Sequence, residues 1–318
     1  MNLVEIISVI KDCNSIAILP HVQADGDAWG SCLALGTALK KLNKSVKIIS
    51  EEIIPRIYNF LPLEDSLIYD ENAHYHFDLV IALDTGDTGR LGNRIKVFGS
   101  TENTVNIDHH GTNTGFARYN YLDAEAAATG EIVYELINIL NVEIDTNMAT
   151  CLYVAIATDT GCFKFNNTTS KTHEIVSALV KKGVNVAEVA QRVFDSTTKE
   201  RVMLMGYAIN TLELFEEGRL AFISITNEMI KAASAKEEDC DGIVNIGRNI
   251  EGVESSVVIR EKSQGEYKVN LRSKSYLDVG QVAFKFGGGG HKMAAGCTIK
   301  GDMDSVKKSV YEELKRLL

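Results

Sequence analysis

The residues of this chain best equipped for chemistry are carboxylates and imidazoles gathered in four short segments. They are His21-Val22-Gln23-Ala24-Asp25-Gly26-Asp27, Asp84-Thr85-Gly86-Asp87, Asp108-His109-His110 and Thr158-Asp159-Thr160-Gly161. His21, Asp25, Asp27, Asp84, His109 and Asp159 make a set of oxygen and nitrogen donors without a thiolate. Such a set suits hard divalent cations, Mn²⁺ or Mg²⁺, better than structural zinc. Gly26 permits a tight bend, so Asp25 and Asp27 can reach neighbouring ions from one loop. Asp84 is placed to bridge them. Two such ions activate a water and hold phosphoryl oxygens, which is what hydrolysis of a phosphoester requires. Asp108 and His110 then take supporting roles. Asp108 holds a neighbour in place, and His110 contacts the phosphoryl group or the leaving oxygen.

Each segment alone has a plainer reading: a turn, a loop or helix cap, a solvated loop. The elements around them argue for convergence. Residues 15–20, Leu79–Leu83 and 104–107 are short apolar strands, and 46–49 is another. Helical patterns follow at 28–42, 129–140 and 147–157. Strand–helix alternation predicts a parallel sheet with helices on both faces. Ligands bind such sheets beyond the carboxyl ends of the strands, and His21, Asp84 and Asp108 each directly follow one. Asp159 follows the helix at 147–157.

A helical stretch over 186–215, broken near 195–198, reads as a connector, with Glu216-Glu217-Gly218 as its stop. Beyond it, 220–226, 253–261 and Glu266–Ser273 read as strands, and 239–249, 278–286 and 304–318 as helices. The predicted fold is α/β: a parallel-sheet catalytic domain over 1–186, a helical linker over 187–218, and a smaller α/β domain over 219–318.

Composition sets the outer bounds. The chain has 318 residues, 45% hydrophobic and 24% charged, which suits two modest globular domains. No apolar run reaches the roughly 18–20 residues of a membrane span, and the N-terminus lacks a signal pattern, so a cytoplasmic location is expected. The six cysteines are scattered, with no C-x-x-C pair, and read as reduced thiols. A net charge of −10 argues against unspecific binding of long duplex DNA. Residues 1–218 carry a net −12 and residues 219–318 a net +2. An acidic half beside a mildly basic one fits a small anionic substrate held between two domains. Aromatics are sparse at 7%, without the basic–aromatic stripe that holds long single strands, so the substrate should be short. Trp29, beside the Asp-Gly-Asp loop, lines a base pocket or packs in the core; both readings stay open.

Gly287-Gly288-Gly289-Gly290-His291 is read as a loop whose backbone N–H groups can approach a phosphate closely. His291, with Lys292 beside it, tilts that reading toward an anion site over a plain flexible turn.

These segments together resemble the DHH phosphoesterase superfamily, in the branch that adds a DHH-associated C-terminal domain. The resemblance rests on His21…Asp25-Gly26-Asp27…Gly30-Ser31, Asp84-Thr85-Gly86-Asp87…Arg90-Leu91-Gly92, Asn106-Ile107-Asp108-His109-His110, Thr158-Asp159-Thr160-Gly161, and Gly287 to His291…Ala294-Ala295-Gly296. Within it, length and motif wording are most similar to NrnA-like nanoRNases. The resemblance implies Mn²⁺-dependent release of 5′-mononucleotides from very short oligonucleotides, RNA or DNA. It also implies removal of the 3′-phosphate from 3′-phosphoadenosine 5′-phosphate. It assigns His21, Asp25 and Asp84 to one ion and Asp27, Asp84, His109 and Asp159 to the other, with Mg²⁺ or Co²⁺ as substitutes.

It also makes Arg272-Ser273 a binder of the substrate's 5′-phosphate or base, and turns Gly288, Gly289, Gly290 and His291 toward the metal cleft. Arg90, Arg248 and Arg260 are weaker candidates, chosen because the guanidinium fork matches phosphate oxygens. Trp29 and Gly130 depart from the family pattern, and neither is expected to touch a ligand. A cyclic di-AMP or linear dinucleotide phosphodiesterase shares nearly all of these motifs and is the alternative. A RecJ-type exonuclease would need a further domain, and a polyphosphatase or pyrophosphatase a different second one. A nucleotide sensor with a dead site would lack a ligand, and here every ligand position is filled. A homodimer is compatible with the sequence, which fixes no oligomeric state.

Overall fold

Asn2 and Glu5 form a capping box that starts helix α1 (Leu3–Asp12), whose buried stripe is Leu3, Ile6, Ile7 and Ile10. The computed structural model describes all 318 residues. They form two compact units, Met1–Ser196 and Thr197–Leu318.

In the first unit α1 leads into β1 (Ser15–Leu19), α2 (Gly26–Lys41), β2 (Ser45–Ser50), β3 (Ser66–Ile68) and β4 (Leu79–Leu83). The short helix α3 (Ile95–Phe98), β5 (Thr104–Asp108) and β6 (Tyr119–Leu122) follow. Helices α4 (Thr129–Ile139), α5 (Thr146–Asp159), α6 (Ser170–Lys181) and α7 (Val186–Val189) complete it. The six strands are parallel throughout, in the order β3-β2-β1-β4-β5-β6. The chain therefore winds outward one way from β1 and the other way from β4, leaving a switch point between these two strands.

Strand alternation divides the core. Ile16, Ile18, Leu79, Ile81, Leu83, Val105 and Ile107 face the larger layer, built on α1, α2, α4 and α5. Ala17, Leu19, Val80 and Ala82 face a smaller layer with Leu91, Val97 and Phe98. Both faces are covered, as a parallel sheet requires. Trp29 is 2% exposed and belongs to the larger core, which settles its two readings in favour of packing.

The second unit runs α8 (Lys199–Ile209), β7 (Glu213–Phe215), β8 (Leu220–Ile225), α9 (Asn227–Ala232), α10 (Val244–Arg248), β9 (Ser255–Ser263) and β10 (Glu266–Ser273). It ends with α11 (Val279–Lys285), β11 (Gly289–His291), β12 (Ala294–Lys300) and α12 (Met303–Lys315). Its sheet has the order β11-β12-β10-β9-β8-β7, with β8 and β9 parallel and the other pairs antiparallel. Helices α11 and α12 cover one face through Val282, Val306, Val310 and Leu314. Leu204 and Ala208 of α8 and Val244 of α10 cover the other.

Two expectations are corrected here. The stretch over 186–215 breaks near 195–198 as expected, but it ends in a strand and is not a separate connector. It holds α7, a π-turn at Ala190–Phe194, α8 and strand β7, and it is divided between the units at Ser196. The glycine segment is not an open loop either, because Gly289–His291 pairs antiparallel with β12. No helix is long and apolar enough to cross a membrane.

Candidate metal centre

β1 and β4 are neighbours at the switch point, so His21 and Asp84, just beyond their ends, meet over one edge of the sheet. His21 Nε2 lies 3.6 Å from Asp84 Oδ2 and 3.8 Å from Asp25 Oδ1. On the other side of Asp84, its Oδ1 lies 3.7 Å from His109 Nε2 and 3.7 Å from His110 Nδ1. His109 Nε2 is also 3.2 Å from Asp159 Oδ2 and 3.9 Å from Asp27 Oδ2. Donor atoms gather into three groups: His21-Asp25-Asp84, Asp27-His109-Asp159 and Asp84-His109-His110. All six residues expected to bind metal are thereby together, with Asp84 central.

The donors fit a cation. Most of these separations are too long for a hydrogen bond, yet they match two ligands of one ion. His21 Nδ1 lies 2.7 Å from Val22 O, and His109 Nδ1 lies 3.2 Å from Ala126 O. With Nδ1 donating to a carbonyl, each ring turns a lone pair on Nε2 toward the carboxylates, the usual support of a ligating histidine. Burial pushes the carboxyl groups of Asp27 and Asp84 above their ordinary range, and neighbouring carboxylates add to it. Burial also lifts Asp159, to about 7. A divalent cation supplies the countercharge that so many buried carboxylates lack.

Beside this set, His110 Nδ1 lies 2.7 Å from Asp108 Oδ1. That bond is the main reason the imidazole is held up to about 9. Burial opposes ionisation of Asp108, but hydrogen bonds from His110 and Asn113 outweigh it and hold the carboxyl below its usual range. Asn113 Nδ2 donates to Asp108 Oδ2 at 2.6 Å, to Asn106 Oδ1 at 2.8 Å and to Thr85 O at 3.0 Å. Asn106 Nδ2 in turn donates to Ala82 O and Thr85 O. Sequence reasoning passed over Asn113, three residues beyond His110, although an amide so close to an Asp-His pair was a usable signal.

The arginines divide. Val22 N donates to Arg90 O at 2.8 Å, so the Arg90-Leu91-Gly92 turn clamps the His21 loop through its backbone. The Arg90 guanidinium approaches His21 Nδ1 at 2.8 Å. In the tautomer that frees Nε2, that atom donates to Val22 O and cannot accept from Arg90. Arg94, fully buried, donates to Pro20 O and Ile49 O and fixes the same edge from below.

In the second unit, Arg260 is buried against Glu237, which corrects its reading as an anion binder. Arg272 is half-buried; burial lowers its pKa, and the positive charge of nearby Arg248 lowers it further. Two arginines in that position gain from an added anion. The Ser273 hydroxyl is 3.3 Å from Lys292 O, tying the end of β10 to the turn before β12. His291 closes β11 and is exposed.

Gly130 needs a further correction. Its backbone N–H donates to Asp27 Oδ1 at 2.9 Å, so it does touch an expected ligand.

Residues 15–156 match the N-terminal domain of the DHH family, and residues 223–318 match the DHHA1 domain. The chain is 36% identical to the bifunctional oligoribonuclease and PAP phosphatase NrnA of Thermus thermophilus, over 95% of this chain and 90% of that protein. An exopolyphosphatase-related protein from Bacteroides fragilis superposes with a TM-score of 0.93 at 28% identity, covering 99% of this chain and 95% of the other. RecJ of Thermus thermophilus, solved with Mn²⁺, shares the fold at a TM-score of 0.54 and 14% identity, over 99% of this chain and 55% of its own. The chain belongs to the DHH family, with a DHHA1 domain as its second unit.

Proposed function

We propose that this chain is a metal-dependent phosphoesterase. It hydrolyses very short oligoribonucleotides to 5′-mononucleotides and removes the 3′-phosphate from 3′-phosphoadenosine 5′-phosphate to leave AMP. The observation that carries the reading is the convergence of three donor groups on Asp84 and His109. The 36% identity to an oligoribonuclease and PAP phosphatase supports the substrate class.

In this reading His21, Asp25 and Asp84 would hold one Mn²⁺, and Asp27, Asp84, His109 and Asp159 would hold a second. Bound there, the ions supply an activated water and neutralise charge on the phosphoryl oxygens. The remaining steps belong to side chains. Asp108 fixes the imidazole of His110 through Nδ1, so that Nε2 can donate a proton to the leaving oxygen. The Asp108 carboxylate favours the protonated ring. Arg272, with Ser273, is assigned to the 5′-phosphate or base of the substrate, and Gly288, Gly289, Gly290 and His291 to the scissile or neighbouring phosphate. Arg90, whose guanidinium is exposed beside His21, is assigned to a phosphate oxygen. A cytoplasmic location and substrates too short for duplex binding belong to the same reading.

The test is product analysis by chromatography, with Mn²⁺ and with chelator. The substrates are a di- to pentanucleotide RNA series, 3′-phosphoadenosine 5′-phosphate and cyclic di-AMP. Mononucleotides from the RNAs and AMP from the bisphosphate, both lost on chelation, are the expected result. Rapid opening of cyclic di-AMP with little attack on the others would replace the reading with a signalling phosphodiesterase.

A further inference from the structure

Helix α4 begins without a capping side chain, because its N-cap residue is Ala128. Its first free N–H groups are taken up from another element. Thr129 N donates to Asp27 Oδ2 at 2.7 Å and Gly130 N donates to Asp27 Oδ1 at 2.9 Å. Asp27 thus caps α4 from 102 residues away. The helix N-terminus favours the carboxylate in return. The fit is tight, since a Cβ on Gly130 would stand 2.7 Å from Ala155 Cβ on α5.

The Thr129 hydroxyl reaches elsewhere. It donates to Asp84 Oδ1 at 3.0 Å, and Thr129 is fully buried. Asp84 stands at φ 54°, a left-handed conformation that few non-glycine residues adopt. One residue therefore grips two carboxylates from different elements, Asp27 in the first turn of α2 and Asp84 just beyond β4.

Counting lone pairs shows the consequence. Ser31 Oγ and Gly130 N both donate to Asp27 Oδ1 and fill it. Thr129 N occupies one lone pair of Oδ2, and the other remains on the side of His109. On Asp84 the hydroxyl takes one lone pair of Oδ1. That leaves Oδ1 one lone pair toward His109 and leaves Oδ2 facing His21.

Building on the metal-dependent reading above, we infer that Thr129 is a positioning residue that locks the two inner carboxylates. Its backbone N–H holds Asp27 Oδ2 beside the Oδ1 that Ser31 and Gly130 fill, and its hydroxyl turns the two oxygens of Asp84 toward opposite histidines. The hydroxyl and the backbone N–H act on different carboxylates, so a side-chain substitution releases Asp84 and leaves the Asp27 cap in place.

The test is Mn²⁺ binding to the full chain by titration calorimetry and by EPR of the free ion, comparing the unsubstituted protein with Thr129→Val and Thr129→Ser. Valine keeps the shape and removes the hydroxyl. Thr129→Val is expected to bind Mn²⁺ about 10–100-fold more weakly, the usual effect of losing a hydrogen bond behind a ligand. The circular dichroism of the chelated protein is expected to stay unchanged, and Thr129→Ser to restore binding. Unchanged binding in Thr129→Val, or equal loss in both variants, would overturn the inference. Should Thr129→Val fail to fold, Thr129→Ala removes the same hydroxyl without adding bulk. Weaker Mn²⁺ binding there supports the lock and unchanged binding overturns it. Absence of Mn²⁺ binding in the unsubstituted protein would overturn the metal-dependent reading itself, and the lock with it.

Discussion

His110 Nδ1 lies 2.7 Å from Asp108 Oδ1, while the opposite oxygen of Asp108 accepts from Asn113 Nδ2 at 2.6 Å. The carboxylate is clasped from both sides, so the imidazole has one orientation.

If His110 delivers a proton to the leaving oxygen, His110→Gln should lower kcat by about 10²–10⁴-fold. Asn113→Ala should have a smaller effect of the same kind, because Asp108 keeps one partner. Both should leave Mn²⁺ binding close to normal, since neither residue is among the six expected ligands. Turnover measured on a dinucleotide checks this. A His110→Gln variant with full kcat would remove the residue from the proton transfer.

Asp84 links function and stability in opposite directions. Burial already disfavours its charge, and the neighbouring carboxylate of Asp25 adds to it. Replacing it with Asn should abolish Mn²⁺-dependent hydrolysis. The metal-free protein should become more stable by about 1 kcal/mol, a Tm rise of roughly 2–4 °C. Persistent hydrolysis in Asp84→Asn would sink the bridging role. A lower metal-free Tm would sink the account of its burial.

Much of this centre was legible in the sequence, for a physical reason. His21, Asp84 and His109 sit just beyond strand ends, and a parallel sheet delivers strand ends to one edge. Thr129 was not legible, because nothing local marks its partner: Ala128 carries no capping side chain, and the cap comes from Asp27 on α2. Nor could the chain separate Arg260, buried against Glu237, from an arginine waiting for phosphate. The β11–β12 hairpin was hidden because glycine disfavours strands, and only backbone pairing makes one there.

That hairpin gives a sharp contrast between adjacent glycines. A Cβ on Gly288 would collide with Gly296 O and with Cys297, whereas one on Gly287 would meet open space. Gly287 has only its φ of 73° against it. Gly288→Ala should cost about 2–3 kcal/mol through overpacking, and Gly287→Ala about 1 kcal/mol. Urea denaturation of the two variants measures the difference. Equal losses would mean that these glycines supply backbone freedom and not close packing.

Acid should loosen the second unit through Glu254. This buried carboxylate accepts from the N–H groups of Ser275, Tyr276 and Leu277 at 3.0, 2.8 and 3.0 Å, and from the Ser275 hydroxyl at 2.6 Å. It pins the loop that follows Arg272-Ser273. Burial raises its pKa, but these four hydrogen bonds outweigh burial and hold it below the ordinary value of 4.5. A carboxyl lowered by folding adds stability that is fully present above its unfolded pKa and is lost as pH falls through the folded one. The contribution should therefore be intact at pH 7 and fade below about pH 4. Glu254→Gln should cost about 1–3 kcal/mol at pH 7, the range for hydrogen bonds to a charged group. The gap to the unsubstituted protein should narrow near pH 3. Urea midpoints at the two pH values decide it, and a gap that stays constant or widens on acidification would show that the charge of Glu254 does not hold this loop.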